Sequence, residues 1–384
     1  SKSRMVAPGH LDPHLGEFRS DAPTTHPVAV NLTLTIAASL GWEVWLFDVS
    51  TAFLSGKETS REVYVRAPKD GLPATETTAE IQPLTLMQVL KSIYGLVEAL
   101  RLWYQRAMEL LEKVGFTELA SRRATFTLQK ERKKNGLVQA IGCLHVDDGL
   151  LAAQMHDPDV ASIIARISSV FNIKEWKRIQ EKPASYLGEE LRQNEDFEEM
   201  KSMNHYFEKI EPVPIPKNWG LKEPYEETTL LRSLVMKLSW PARKLMSGIA
   251  YGVSVAAQTI KEATVATAKE ANKLLKTALD ELKEGRGEVT FRKIDLEKPC
   301  VVTFFDASFG KEEGGHSQAA FYNLATNQRA TYALTNANPI EHGTNKIQRV
   351  VESTFSAEGS SMSMASMGPI RLIGTLTPGC YSRC

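Results

Sequence analysis

The first part of the chain alternates between helical and strand-like hydrophobic patterns. In VAVNLTLTIAASLG, residues 28 to 41, the apolar residues recur at helical intervals, and Gly41 suits the end of that helix. The next run, EVWLFDV at 43 to 49, is short and rich in Val, Trp and Phe. We therefore expect a buried strand that ends at Asp48.

Three further elements are predicted before the middle of the chain. Apolar spacing over 98 to 115 predicts an amphipathic helix. The stretch that follows is typical of a hairpin, with a strand at 139 to 146, a turn at 147 to 149 and a second strand at 150 to 153. Helical spacing returns at 158 to 171.

The second half of the chain changes character twice. An acidic stretch with prolines, 195 to 228, is interpreted as a connection without regular structure, and helices are expected at about 229 to 258 and 260 to 284. From 288 onward the pattern favours strands and then a helix from 351 to about 366, which we take as a separate α/β domain. The expected strands are VTFRKI, CVVTFFDAS, QAAFYNLA and RATYALT.

Composition narrows the class of protein only slightly. With 384 residues, 42 % of them hydrophobic, the chain is long enough for two or three domains. Lys plus Arg and Asp plus Glu both number 46, so a nucleic-acid partner would be held by local basic patches rather than by net charge. The four cysteines lack paired spacing, which favours an intracellular compartment. We expect no membrane partner, because no run approaches the roughly 20 apolar residues of a span.

Two aspartates stand side by side in AIGCLHVDDGLLAA, residues 140 to 153, at Asp147 and Asp148. Two ionised carboxylates at a hairpin tip repel each other unless a cation lies between them, and Mg²⁺ prefers such oxygen ligands. Asp-Asp-Gly is also a favourable turn sequence in its own right. Asp48 is either a third ligand at the end of a buried strand or a helix N-cap. These residues alone leave both interpretations open.

Four motifs in a fixed order resemble the reverse transcriptase of copia-type LTR retrotransposons. They are DVSTAFLSG at 48 to 56, SREVYVRAPKDG at 60 to 71, LKSIYGLVEALRLWY at 90 to 104 and LHVDD at 144 to 148. The corresponding stretches of the family read roughly DVxTAFLxG, EEIYMxxPxG, LxKALYGLKQAPRxWY and YVDD. Flanking segments extend the resemblance to about residue 285.

The resemblance implies an α+β protein, a right-hand polymerase with fingers, palm and thumb, followed by an α/β ribonuclease H-like domain. The implied domains are 1–228 for fingers and palm, 229–286 for a helical thumb or connection, and 287–384 for a ribonuclease H-like domain that is incomplete at its C-terminus. The implied activity is RNA-directed DNA polymerisation on an RNA template and DNA primer with dNTPs. It would take place in a cytoplasmic particle or the nucleus, and the oligomeric state is left open.

The resemblance also assigns the site. Asp48, Asp147 and Asp148 are implied to be catalytic and, with the backbone carbonyl of Val49, to hold two Mg²⁺ ions, or Mn²⁺ in their place. The residues implied to contact the nucleotide are Lys2, Arg4, Phe53, Tyr94, Gly95 and Arg101.

Two of the residues in these motifs allow a second interpretation. Phe53 is implied to select deoxynucleotides by excluding a 2′-hydroxyl, but its surroundings STAFL suit ordinary core packing equally well. Glu98 stands where the family has Gln, so that an anion replaces an amide near the triphosphate. We therefore expect Glu98 to weaken nucleotide binding.

The C-terminal part resembles the ribonuclease H domain that follows copia-type polymerases. Asp306 ends an apolar run and Glu358 falls in the predicted helix. Ribonuclease H chemistry uses two metals and several carboxylates, whereas residues 359 to 384 contain neither Asp nor Glu. We expect this part to be inactive. The alternative for the whole chain is a degenerate or co-opted, non-catalytic retroelement remnant whose carboxylates are only turn and cap residues.

Overall fold

The structure is a computed structural model. It describes residues 6–17, 19–74, 78–129, 138–154, 158–215, 217–312, 316–327, 330, 333–348 and 350–376. The helices are α1 Pro27–Leu40, α2 Ala99–Lys113, α3 Pro158–Val170, α4 Thr228–Lys244, α5 Ser247–Thr259, α6 Val265–Lys283 and α7 Thr354–Leu376.

The strands form four sheets. In the first half of the chain the strands are β1 Glu43–Val49, β2 Glu58–Arg66, β3 Leu86–Lys91, β4 Thr117–Leu119, β5 Arg122–Gln129, β6 Val138–His145, β7 Asp148–Ala153 and β8 Ile173–Arg178. They are followed by β9 Ala184–Tyr186, β10 Glu189–Gln193, β11 Glu199–Ser202, β12 Glu288–Phe291, β13 Pro299–Glu312, β14 His316–Asn327 and β15 Asn338–Lys346.

The largest sheet has six antiparallel strands in the order β4-β5-β6-β7-β1-β8. Successive side chains of a strand point to opposite faces, so each strand contributes to two cores. Leu46 and Leu150 pack with α1 on one face. Phe47 and Leu151 pack with α2 and α3 on the other. The sheet is therefore covered on both faces, with β1 and β7 near its middle.

Helix α1 is buried on every side. Each residue from Val28 to Ser39 is buried, and the helix ends at Gly41, whose φ of 67° is the left-handed conformation that glycine adopts readily. Two of its polar side chains bond back to the helix: Thr33 Oγ1 donates to the carbonyl of Ala29 at 2.9 Å, and Ser39 Oγ donates to that of Thr35 at 2.6 Å. The helix and strand predicted over 28 to 49 are confirmed.

The four-stranded sheet β12-β11-β10-β9 and the three-stranded sheet β13-β14-β15 close the core around α1. Phe291 of β12 and Ile340 of β15 both lie in this core. Strand β12 pairs with β11, so the predicted boundary at 287 divides one sheet. The C-terminal strands consequently share a core with the first half of the chain instead of standing apart from it.

Several predicted elements of the second half are wrong. The stretch 195 to 228 contains β11, whose sequence EMKS looks too polar for an inner strand. The helix expected at 229 to 258 is interrupted after Lys244, so that α4 and α5 are separate. RATYALT forms no strand among its described residues, and β15 was missed because Asn, Pro and Gly in NPIEHGTNK disfavour strand prediction.

Buried charges join three parts of the fold. Lys201 Nζ of β11 lies 3.0 Å from Glu189 Oε1 of β10 and 2.7 Å from Asn31 Oδ1 of α1. Lys244 Nζ, at the end of α4, lies 3.3 Å from the other oxygen of Glu189. Lys201 and Glu189 each expose only 2 % of their side chains. Burial lowers the pKa of Lys201, and the charge of Glu189 opposes that change.

Removing the shared carboxylate should destabilise the protein. Glu189→Gln leaves the ammonium groups of Lys201 and Lys244 buried without a counter-charge, and breaking such a pair typically costs about 3 kcal/mol or more in free energy of unfolding. Urea denaturation followed by circular dichroism measures the loss. Glu190→Gln is the matched control, because Glu190 is the next residue in the sequence and its side chain is exposed. Equal stability of the two variants would contradict this role of Glu189.

Candidate active site

The hairpin β6–β7 places two aspartates at one end of the six-stranded sheet, which we call the central sheet. His145 pairs with Asp148, so Val146 and Asp147 alone form the turn. The predicted turn at 147 to 149 is therefore displaced, and Asp148 and Gly149 belong to β7. Val146 has a φ of 58°, which is unfavourable for a β-branched residue and fits the first position of a type II′ turn.

Gly149 follows the aspartates because the neighbouring strand leaves no room for a side chain. It lies opposite Phe47 of β1, and a Cβ atom at this position would come within 2.0 Å of the Phe47 ring. The same ring contacts Trp176 of β8, with centroids 4.6 Å apart. The aromatic layer behind the hairpin thus requires glycine after the second aspartate.

Asp48 lies beside these residues on β1. It is the direct antiparallel partner of Asp148, so the two side chains project from the same face of the sheet. The backbone N–H of Val49 donates to the carbonyl of Asp147 at 2.8 Å. Asp48 is exposed although its neighbours in β1 are buried. The structure therefore brings together Asp48, Val49, Asp147 and Asp148, although up to 100 residues separate them in the sequence.

The carboxylates of this group act on one another. Partial burial raises the pKa of Asp148, the charges of Asp147 and Asp48 raise it further, and Lys177 of β8 opposes them. His145 faces the same region, and its burial lowers the pKa of the imidazole. An excess of negative charge is thus concentrated at one end of the sheet.

The donor chemistry of this group fits a hard divalent cation, which prefers carboxylate oxygens and relieves their repulsion. Within the residues that the structure describes, however, no three Asp, Glu, His or Cys side chains are grouped closely enough to hold a metal ion. Asp48, Asp147 and Asp148 lie at the same end of the six-stranded sheet but do not form a complete coordination shell.

Trp103 fixes the turn and was missed by sequence reasoning. It is 1 % exposed, and its indole N–H donates to the carbonyl of Val146 at 2.6 Å. Its position on the buried face of α2 could have indicated this role, because the N–H of a buried indole normally needs a hydrogen-bond acceptor. Trp103 therefore supports the aspartate-bearing turn from the opposite face of the sheet.

The residues expected to contact the nucleotide lie next to the start of α2. The rings of Phe53 and Tyr94 are in edge contact, with centroids 5.0 Å apart. Phe53 is half-buried between two cores, which agrees with packing and leaves part of the ring accessible. Gly95 has a φ of 87°, and a Cβ there would lie 2.0 Å from the carbonyl oxygen of Ala7. This glycine permits the N-terminal segment to approach closely.

Of the three basic residues of the expected site, Arg101 is described by the structure. Arg101 is half-buried on α2 and lies 3.7 Å from Asp21, which is a weak exposed ion pair. Lys2 and Arg4 lie outside the described residues.

The two carboxylates of the C-terminal part lie on neighbouring elements. Asp306 is exposed on β13, and Glu358 is half-buried on α7. Ser361, one turn beyond Glu358, donates to the carbonyl of Asp306 at 2.8 Å. The helix therefore packs over the strand that carries Asp306.

Comparison with known proteins identifies the family of the chain. The family model for reverse transcriptase (RNA-dependent DNA polymerase) matches residues 1–227. The chain belongs to this family, and the resemblance seen in its motifs is confirmed.

The similar curated proteins are Pol polyproteins of copia-type transposons. The retrovirus-related Pol polyprotein from transposon RE1 of Arabidopsis thaliana is 26 % identical over 180 residues, which cover 46 % of this chain and 11 % of that protein. The one from transposon RE2 of the same plant is 31 % identical over 132 residues, covering 34 % and 9 %. The chain thus spans about a tenth of the length of these polyproteins.

Among solved structures, prototype foamy virus protease-reverse transcriptase is similar over 92 % of this chain and 39 % of that one, at 11 % identity and a TM-score of 0.24. No helix in the described part of the chain combines the length and apolarity needed to cross a bilayer.

The repulsion at the aspartates predicts a pH-dependent stability change. Because folding raises the pKa of Asp148, its protonated form favours folding, and this contribution is lost as the pH rises from the unfolded-state value of 3.8 through the folded-state value. At neutral pH in EDTA, Asp148→Asn should raise the Tm by about 1–3 °C.

Differential scanning fluorimetry checks this expectation, with the exposed residue Asp196 changed to Asn as the control. The gain should disappear below about pH 3, where Asp148 is protonated in both states. Mg²⁺ should raise the Tm of the unaltered protein more than that of the variant. A variant that is destabilised at neutral pH, or equally stabilised by Mg²⁺, would argue against carboxylate repulsion at this edge.

Proposed function

We propose that this chain is an RNA-directed DNA polymerase, which transfers a nucleotide from a dNTP to the 3′-hydroxyl of a primer on an RNA template. The proposal depends on one observation: Asp48, Asp147 and Asp148 lie together at one end of the central sheet. Asp48 and Asp148 are exposed there, although the strands that carry them are otherwise buried. Charge repulsion among them is the arrangement that divalent cations relieve.

The proposal assigns the central sheet to the palm, the β2–β3 ribbon with the N-terminal segment to the fingers, and the helices α4 to α6 to the thumb or connection. Asp48, Asp147 and Asp148 would hold two Mg²⁺ ions with the carbonyl of Val49. Bound there, the ions would lower the pKa of the primer hydroxyl and stabilise the charge of the leaving pyrophosphate.

Phe53, Tyr94 and Gly95 support the nucleotide end of the same site. Phe53 follows Asp48 by five residues in the sequence and remains partly accessible beside Tyr94. A ring in this position would exclude a 2′-hydroxyl and so favour deoxynucleotides. Lys2, Arg4 and Arg101 would add positive charge for the triphosphate.

Primer extension tests the proposal directly. Protein, oligo(dT) annealed to poly(rA), labelled dTTP and Mg²⁺ should give extended primers, and Asp148→Asn should reduce the rate by at least about a hundredfold because one metal-binding carboxylate is lost. Mn²⁺ should replace Mg²⁺, and EDTA should abolish the reaction.

Asp196→Asn provides the matched control, since it removes the same charge from an exposed turn. Equal loss in both variants would point to a contaminating polymerase or to general damage. A folded protein that extends no primer would favour the non-catalytic remnant.

Ribonuclease H activity is not part of the proposal. Asp306 and Glu358 lie on adjacent elements, but two carboxylates are too few for two metal ions. The RNA strand of a labelled RNA–DNA hybrid should therefore remain intact in Mg²⁺ or Mn²⁺ under conditions where the primer is extended. Asp306→Asn is the control, and shortening of RNA by the unaltered chain but not by this variant would contradict the expectation.

A further inference from the structure

Glu98 does not lie free beside the nucleotide end of the site. It occupies the N-cap position of α2, three residues after Gly95, and only 6 % of the residue is exposed. Its Oε2 lies 3.3 Å from Nε of Arg61 on β2. Its Oε1 is buried and has no hydrogen-bond partner among the described residues. The guanidinium of Arg61 is therefore the counter-charge nearest to this carboxylate.

Arg61 binds a second carboxylate at the same time. Its terminal nitrogens form an ion pair with both oxygens of Asp12, whose side chain is 7 % exposed. This interaction lowers the pKa of Asp12. One guanidinium thus joins the N-terminal segment, strand β2 and the beginning of α2.

The three joined segments border the residues assigned to the nucleotide. The backbone N–H of Ala7, in the N-terminal segment, donates to the carbonyl of Tyr94 at 2.7 Å. Tyr94 in turn contacts Phe53. A net charge left on this assembly would act directly on a triphosphate that binds beside it, because partly buried charges are poorly screened.

We propose that Arg61 is a positioning residue of the nucleotide end of the polymerase site, which offsets the charge of Glu98 and directs its carboxylate away from the phosphates of an incoming deoxynucleoside triphosphate. The inference rests on the proposed function. It replaces the expectation that Glu98 by itself weakens nucleotide binding.

A comparison of four variants tests the proposal. Arg61→Met keeps the length of the side chain but leaves two anions uncompensated, so the KM for dTTP should rise about tenfold or more while kcat changes little. Glu98→Gln removes the anion that Arg61 offsets and should stay within about threefold of the unaltered protein. Arg61→Lys keeps the charge but loses the bidentate pair with Asp12, so its KM should lie between those of the unaltered protein and Arg61→Met.

The decisive variant is Arg61→Met combined with Glu98→Gln. If the guanidinium acts by neutralising Glu98, removing the anion should restore the KM to within about threefold. A purely structural role of Arg61 would leave the double variant as impaired as Arg61→Met. Arg192→Met is the control, because it breaks another ion pair of this chain, with Glu288 in the four-stranded sheet.

Fluorescence titration with mant-dTTP on the primer–template complex gives a second readout that needs no turnover. An unchanged KM and nucleotide affinity in Arg61→Met, with primer extension intact, would overturn the role of Arg61 and leave the proposed function standing. Failure of the unaltered protein to incorporate dTTP would instead overturn the proposed function, and the inference with it. Tm measurements on every variant separate loss of folding from loss of affinity.

Discussion

The burial of α1 on all sides is the constraint on which the rest of the structure depends. A helix that is apolar around its whole circumference needs protein on every face, and three different sheets supply it here. Its one strongly polar side chain is satisfied at both ends, since Asn31 Nδ2 donates to the carbonyl of Ile340 at 2.8 Å while its oxygen accepts from Lys201. The C-terminal strands are therefore part of the covering of the central helix.

The local spacing of apolar residues was sufficient to predict an element where that element buries at least one whole face. Helix α1, strand β1 and helix α2 were predictable because their apolar residues follow one period and end at glycine or a polar cap. Strand β11 was not, because its buried residues include the charged Glu199 and Lys201, and the ammonium of Lys201 is held by Asn31, 170 residues away in the sequence. The break between α4 and α5 was likewise invisible, since both helices continue the same amphipathic pattern.

The candidate site shows the same division. Identity and order of the aspartates could be predicted from motifs, but the turn register could not, because it depends on the pairing of His145 with Asp148. Glu98 was correctly singled out as unusual, and its meaning changed once its partner was known. Arg61 and Glu98 are 37 residues apart, and no local rule joins a strand residue to a helix cap across that distance.

Helix α2 has a consequence that reaches beyond stability. Glu98, at its beginning, pairs with Arg61 of β2, and Trp103, five residues later, donates to the carbonyl of Val146 in the strained turn. The two positions are about 7.5 Å apart along a helix that does not compress. Any movement of the N-terminal segment or of β2 that shifts the start of α2 must also shift the indole against the turn. In the proposed polymerase, the nucleotide and the metal ions would then be mechanically coupled, so that each would alter the affinity for the other.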